Sequence, residues 1–208
     1  EGTTIADAEV KRITRKTNLA HIRWSLEDGG EIIISTTRPE LICACGVVLV
    51  HPDDNRYRDM IGKTARLPIK VKGRSDKVKI LSHPSVKMEF GSGVLMVCSY
   101  GDQNDVSVFR ELKLEPFQAI DLEGRMTGIA DQLEGMLVAE ARSAAIEMLS
   151  SDGRLEGLEE REQEIPVSER GENPIEIILL KEWYVKQVGI QERLEQLTHE
   201  IRFIPERN

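Results

Sequence analysis

The chain has 208 residues, enough for one large domain or two small ones with a sizeable core, and its 40% hydrophobic and 31% charged content excludes a disordered chain. With 28 basic against 36 acidic residues the net charge is −8, so the mean surface is acidic and any nucleic-acid contact needs a local basic patch. Three cysteines do not make a disulfide-stapled module, the apolar runs at 46–50 and 177–180 fall short of the roughly 20 residues that span a bilayer, and no charged-then-apolar leader opens the chain; the expectation is a cytoplasmic protein without a membrane partner.

Residues 1–20 read as a short lead-in carrying Lys11, Arg12, Arg15 and Lys16. Alternating residues 21–26, the turn signal Asp28-Gly29-Gly30 and the run Ile32-Ile33-Ile34 predict a β-hairpin. Residues 46–50 are a β-branched run short enough for a buried strand. His51-Pro52-Asp53-Asp54 reads as a helix start, with Tyr57, Met60 and Ile61 turned inward and Gly62 as its stop. The basic stretch 62–79 holds short strands near 66–69 and 78–81, and 94–97 is a further strand. Helical spacing of Val106, Phe109 and Leu112 predicts a helix over 105–112, and a longer one covers 138–149. Asp121-Leu122-Glu123-Gly124 is a hairpin turn, and the acidic stretch at about 152–174 reads as an exposed, loop-rich arm. A strand at 175–180 and a helix at 190–200 close the chain. The predicted class is α+β: a β-barrel-like core of short strands surrounded by helices, with a protruding acidic arm, all in a single domain over 1–208.

Two places combine residue types that do chemistry. In Ser35-Thr36-Thr37-Arg38-Pro39-Glu40, Pro39 forces Arg38 out of helical geometry, so the strand ends in a turn presenting hydroxyls, a guanidinium and a carboxylate. The same residues also fit a threonine-capped strand end with a surface Arg38–Glu40 ion pair. In Gly101-Asp102-Gln103-Asn104-Asp105 two carboxylates three residues apart share one face at a helix start. Plain helix capping accounts for them equally well. Cys43-x-Cys45 has no second ligand pair at zinc spacing, and Cys98 reads as a small core residue.

In order along the chain, Thr36-Thr37-Arg38-Pro39-Glu40, Val50-His51-Pro52-Asp53-Asp54, Ile61-Gly62-Lys63, Glu89-Phe90-Gly91-Ser92-Gly93, the Asp102 and Asp105 pair and Asp121-Leu122-Glu123-Gly124-Arg125-Met126 resemble the editing domain inserted in valyl-tRNA synthetases. Lys181-Glu182-Trp183-Tyr184-Val185-Lys186 and Phe203-Ile204-Pro205-Glu206-Arg207 extend the resemblance to nearly the whole chain. Leucyl enzymes share the Thr-Thr-Arg-Pro turn but not Val-His-Pro-Asp-Asp, and isoleucyl enzymes carry Thr-Pro-Trp at the turn. The aminoacylation signatures His-Ile-Gly-His and Lys-Met-Ser-Lys-Ser are absent, so the expectation is a hydrolytic insert excised from its synthetic body.

The resemblance implies a deacylase that removes threonine from mischarged tRNA(Val). A hydrophobic pocket rejects an added hydroxyl poorly, whereas a pocket that must bond that hydroxyl rejects valine strongly. It implies that Asp105 holds the substrate's α-ammonium and Asp102 reads the threonine hydroxyl. Thr36, Thr37, Arg38, Glu40 and Leu41 line the pocket and receive the terminal adenosine, with Met96 and Cys98 in the opposite wall. Many family members have lysine at Met96, threonine at Cys98, histidine at Gly101 and threonine at Leu41, which places this chain in an archaeal or eukaryotic-type branch. It also favours attack by a positioned water rather than by a protein nucleophile. Ser168-Glu169-Arg170-Gly171 stands where some members have Cys-x-x-Cys. The expected partners are the tRNA(Val) 3′ end and the rest of the synthetase, with a monomeric chain. No cofactor is expected for the domain, since ATP and Mg serve only the parent enzyme. The alternatives are a noncatalytic tRNA-binding barrel, using residues 11–16 and 62–79, and an editing domain of isoleucyl or leucyl specificity.

Overall fold

The computed structural model describes residues 4–181, 183–202 and 204, so Glu182 and most of the 203–207 block lie outside the described residues. Strands β1 (Val10–Ser25), β2 (Glu31–Thr36) and β7 (Leu155–Ser168) form one sheet in the order β2-β1-β7. Strands β3 (Cys45–Val50), β4 (Thr64–Arg66), β5 (Lys77–Ser82) and β6 (Val94–Cys98) form a second, in the order β4-β5-β3-β6. Helices α1 (Gln103–Glu111), α2 (Val138–Ser151) and α3 (Gln191–Glu200) complete the regular structure, together with short 3-10 turns.

The apolar run at 45–50 is continuous because both faces of β3 are covered. Val48 and Val50 face the main core, against Ile22, Trp24 and Ile34 of the first sheet, while Val47 and Leu49 face Val108 and Phe109 of α1. β6 alternates the same way: Val94, Met96 and Cys98 go into the main core and Val97 toward α1. Gly46 stands at a register shift between β3 and β6, and a Cβ there would meet Phe109 Cζ at 2.4 Å. Glycine therefore lets the acid-bearing helix close directly on the strand.

The α+β class holds, but the strands do not close into a barrel. The two sheets are linked by an isolated bridge, Leu26↔Ala65, at one seam. At the other seam β2 lies beside β6, yet the Ser92 amide donates to the Ser35 side chain, Oγ, at 2.9 Å, so a side chain takes the place of ladder bonding there.

The lead-in and the acidic arm also differ from expectation, because they are partners. β1 and β7 pair antiparallel from Val10↔Ser168 onward, which sets basic residues against acidic ones: Lys16 bonds Glu160 at 2.8 Å and Lys11 bonds Glu172 at 3.2 Å. The stretch at 155–168 is thus a strand rather than a loop, with most of its acids solvent-exposed. Residues 51–61 form successive tight turns instead of a helix, through Asp54 N→His51 O, Tyr57 N→Asp54 O and Met60 N→Tyr57 O. Buried Asp54 is the cause: its Oδ1 accepts both the Arg56 amide at 3.1 Å and Arg56 Nε at 2.9 Å, a side-chain turn that competes with helix. Residues 175–180 are not a strand. One bond, Ile175 N→Pro166 O, follows the Val167↔Pro174 bridge before the chain crosses to the candidate site.

Candidate active site

β2 delivers Thr36, and Pro39 at the first position of the 3-10 turn Pro39–Ala44 ends the strand, as the sequence predicts. The Arg38 amide donates to Thr36 Oγ1 at 3.0 Å, which fixes the half-buried turn. Arg38 then spends its guanidinium on three partners. Nε donates to Glu40 Oε1 at 3.0 Å, Nη1 to the Gly101 carbonyl at 3.3 Å and Nη2 to Glu176 Oε2 at 2.7 Å. Burial disfavours this charge, but Glu176 and Glu40 outweigh it and hold the guanidinium's pKa above its ordinary value. The Arg38–Glu40 pair is therefore not the surface pair that one reading of the sequence allows. Glu40 is 0% exposed and also receives Arg142 from α2, at 2.8 and 3.1 Å.

The second cluster follows β6. Its last residues turn through Tyr100, a non-glycine residue at φ +58, where a side chain costs strain of the kind that concentrates at functional sites. Asp102 caps α1, its Oδ1 accepting from the Asp105 amide at 2.8 Å, so the capping reading holds for that oxygen. Asp105 turns back, and its Oδ2 accepts from the Cys98 amide at 3.1 Å. The space it occupies exists because residue 101 is glycine: a Cβ there would stand 2.2 Å from Asp105 Oδ2. Burial, and next the Asp102 charge, push the Asp105 carboxyl up to about 8, against the opposing pull of the Cys98 amide and Arg38. This environment favours the protonated form of the carboxyl.

The turn and the acid elbow lie on the same side of the molecule, joined by Arg38 to the Gly101 carbonyl. Leu41, Met96 and Cys98 are buried in the main core; of Cys98, the amide reaches the acids while the thiol stays in the apolar interior, its pKa raised by burial. A cavity of about 10 Å³ sits between Leu41, Ser99, Tyr100 and Gln118, beneath Ile177 and Ile178. A cleft of about 740 Å³, lined by Ile69, Lys70, Met148 and Arg154, contains none of the candidate residues. Among the described residues, no group of His, Cys, Asp and Glu is arranged to hold a metal ion.

Sequence reasoning missed Arg142, Glu176 and His21, and it placed Ser35 in the turn without a role of its own. Ser35 Oγ bonds His21 Nδ1 at 2.8 Å as well as the Ser92 amide, which ties the 89–93 loop to the end of β2. Phe90 on that loop is 44% exposed, with the Arg161 guanidinium 4.4 Å over its ring. The glycine-rich spacing of 90–93 was the available signal for such a close approach: a Cβ on Gly91 would meet Ser35 Cβ at 2.5 Å.

No protein-family model matches the chain. Valine–tRNA ligases match it along almost its full length. That of Nanoarchaeum equitans is 43% identical over 206 residues, 99% of this chain and 27% of the ligase. Those of Methanopyrus kandleri and Methanocaldococcus jannaschii are each 40% identical over 98% of this chain and 23% of the ligase. The chain thus spans between 23% and 27% of these relatives' length. Among solved structures, LeuRS of Agrobacterium radiobacter K84, in a ternary complex with tRNA and LeuAMS, shares the fold at a TM-score of 0.54 and 16% identity, over 72% of this chain and 20% of that one.

Proposed function

We propose that this chain, whose sequence belongs to the editing-domain segment of the valine–tRNA ligase family, hydrolyses the ester of threonine mischarged on tRNA(Val). The observation that carries the reading is the junction of the hydroxyl-bearing turn with the paired acids, through Arg38 and the Gly101 carbonyl.

In this reading the ester lies between Thr36 and Thr37 on one side and the acid elbow on the other. Asp105 takes the α-ammonium, whose charge favours ionisation of a carboxyl that burial otherwise keeps protonated. Asp102 spends one oxygen on the helix cap and offers the other to the threonine hydroxyl. A valine side chain leaves that acceptor unanswered, which disfavours its ester. Water attacks the carbonyl carbon, the bond to the ribose oxygen breaks, and that oxygen takes up a proton with help from the neighbouring ribose hydroxyl, releasing threonine and tRNA. The exposed face of Phe90 offers a stacking surface for a base of the RNA end. This chemistry needs no cofactor from the domain.

The noncatalytic RNA-binding alternative relies on free cations, and the basic stretch has few. Lys63 pairs with Asp28, Arg66 with Asp76 and Glu27, Lys72 with Asp131 and Glu134, and Lys77 with Glu27. Arg74 donates to the Cys43 and Cys45 carbonyls. Identity to valine–tRNA ligases favours valyl over isoleucyl or leucyl specificity. The remainder of a synthetase is the partner expected to cover the exposed Trp183, Val185 and Val188, at a cytoplasmic site of action.

The test is Asp105→Ala in a deacylation assay on threonyl-tRNA(Val), with circular dichroism as the control for folding. A folded variant that has lost hydrolysis supports the assignment; a folded variant at the parental rate overturns it.

A further inference from the structure

We propose that Arg142 and Glu176 are positioning residues of the deacylation site, the two ends of a chain of ion pairs that clamps the 36–40 turn to the 99–102 elbow. The proposal rests on the deacylase reading above and adds residues from parts of the chain that carry no motif of their own.

The chain runs Arg142–Glu40–Arg38–Glu176, with cations and anions alternating. Glu40 is 0% exposed, and an ionised carboxylate there requires close cations. Arg142 supplies a two-pronged contact, Nε to Oε2 at 3.1 Å and Nη2 to Oε1 at 2.8 Å, and Arg38 Nε shares Oε1 at 3.0 Å. Glu176 then takes Arg38 Nη2 at 2.7 Å, which leaves Nη1 directed at the Gly101 carbonyl 3.3 Å away. These members come from α2, from the turn after β2 and from the segment after β7, so the chain joins elements that no backbone ladder connects. Glutamate at 176 decides where the guanidinium points: without it, Arg38 is free to swing wholly onto Glu40 and drop the elbow.

The elbow carries the reacting geometry, because Gly101 abuts the Asp105 carboxyl. The charged and titratable groups facing Asp105 are Asp102 from its own helix start, Arg38 from the turn and Cys98 from β6. Without the Glu176 charge the Arg38 cation swings onto Glu40 and away from the elbow, so the Asp105 carboxyl loses an opposing pull and its midpoint rises further.

The experiment compares the parental chain with Glu176→Gln, Arg142→Lys and Arg142→Met, reading kcat and KM on threonyl-tRNA(Val) and the Asp105 midpoint by carboxyl NMR. Glu176→Gln is expected to lower kcat by about 10-fold or more with a smaller change in KM, and to move the midpoint up. Arg142→Lys should retain more activity than Arg142→Met while falling short of the parent, since an ammonium cannot make the forked contact. A folded Glu176→Gln chain with unchanged kcat and unchanged midpoint overturns the proposal. If Arg142→Met does not fold, Glu176→Gln and Arg142→Lys decide the matter. Should the parental chain show no deacylation at all, the functional reading fails instead, and the midpoint alone decides the clamp: a rise supports it, and constancy or a fall overturns it.

Discussion

Asp105 links protonation to stability. Its carboxyl sits near 8 in the folded chain against an ordinary value of 3.8, so between those pH values the folded form holds a proton that the unfolded form has released. Stability contributed at this site is therefore lost as pH rises through that window and stays lost above it. Asp105→Asn keeps an acceptor for the Cys98 amide and removes the titration. The variant is expected to match the parent near pH 4 and to exceed it by ~1 kcal/mol or more at pH 9 in urea unfolding. Parallel stability curves across that range would contradict the burial of this group. Asp102 caps α1 and, in the proposed function, also reads the threonine hydroxyl. Asp102→Ala should cost about 1 kcal/mol through the lost cap and, separately, narrow the ratio of threonyl to valyl ester hydrolysis. An unchanged ratio would leave Asp102 as a cap alone. The acids and the Thr-Thr-Arg turn were legible because their residue types are unusual together. Arg142 and Glu176 were not, since their partners Glu40 and Arg38 lie 102 and 138 positions away in sequence.

Elements were legible where one physical cause dominates. The run at 46–50 reads as a strand because both of its faces are buried, and Asp28-Gly29-Gly30 reads as a hairpin turn because β1 and β2 close there, with the glycines at φ +89. α2 was legible from Ala141, Ala145 and Leu149 at helical spacing, all buried. The β1–β7 ribbon was not, since its outer half is solvated on both faces and shows no alternation; its pairing rests on complementary charge between distant segments. Residues 51–61 misled because the Asp54 side chain replaces helical bonding, an effect that composition does not reveal. Gly46 supplies a test at this scale. Gly46→Ala puts a methyl against the Phe109 ring, which pushes α1 away from β3. The variant is expected to lose about 1–3 kcal/mol and to weaken deacylation by shifting the acids at the start of α1. A variant of parental stability and rate would show that α1 is not seated by that contact.

For the molecule as a whole, the predicted barrel became two sheets because the seam between β2 and β6 is bridged by a side chain, Ser35, rather than by a ladder. β2 hands over to the hydroxyl-bearing turn just beyond Ser35, whereas the acid elbow follows the far end of β6 and meets that turn through Arg38 and the Gly101 carbonyl. The chain carries a net charge of −8 and several cations of its basic stretch are paired, which disfavours RNA binding by charge alone; in the proposed function, recognition falls to the site itself. The central claim is that this site demands a hydroxyl on the amino acid it releases. The most direct measurement is hydrolysis of threonyl-, valyl- and isoleucyl-tRNA(Val) by the same chain under the same conditions. Rapid loss of the threonyl ester with the other two nearly intact is the predicted result; equal rates for all three, or preference for an ester without a hydroxyl, would contradict it.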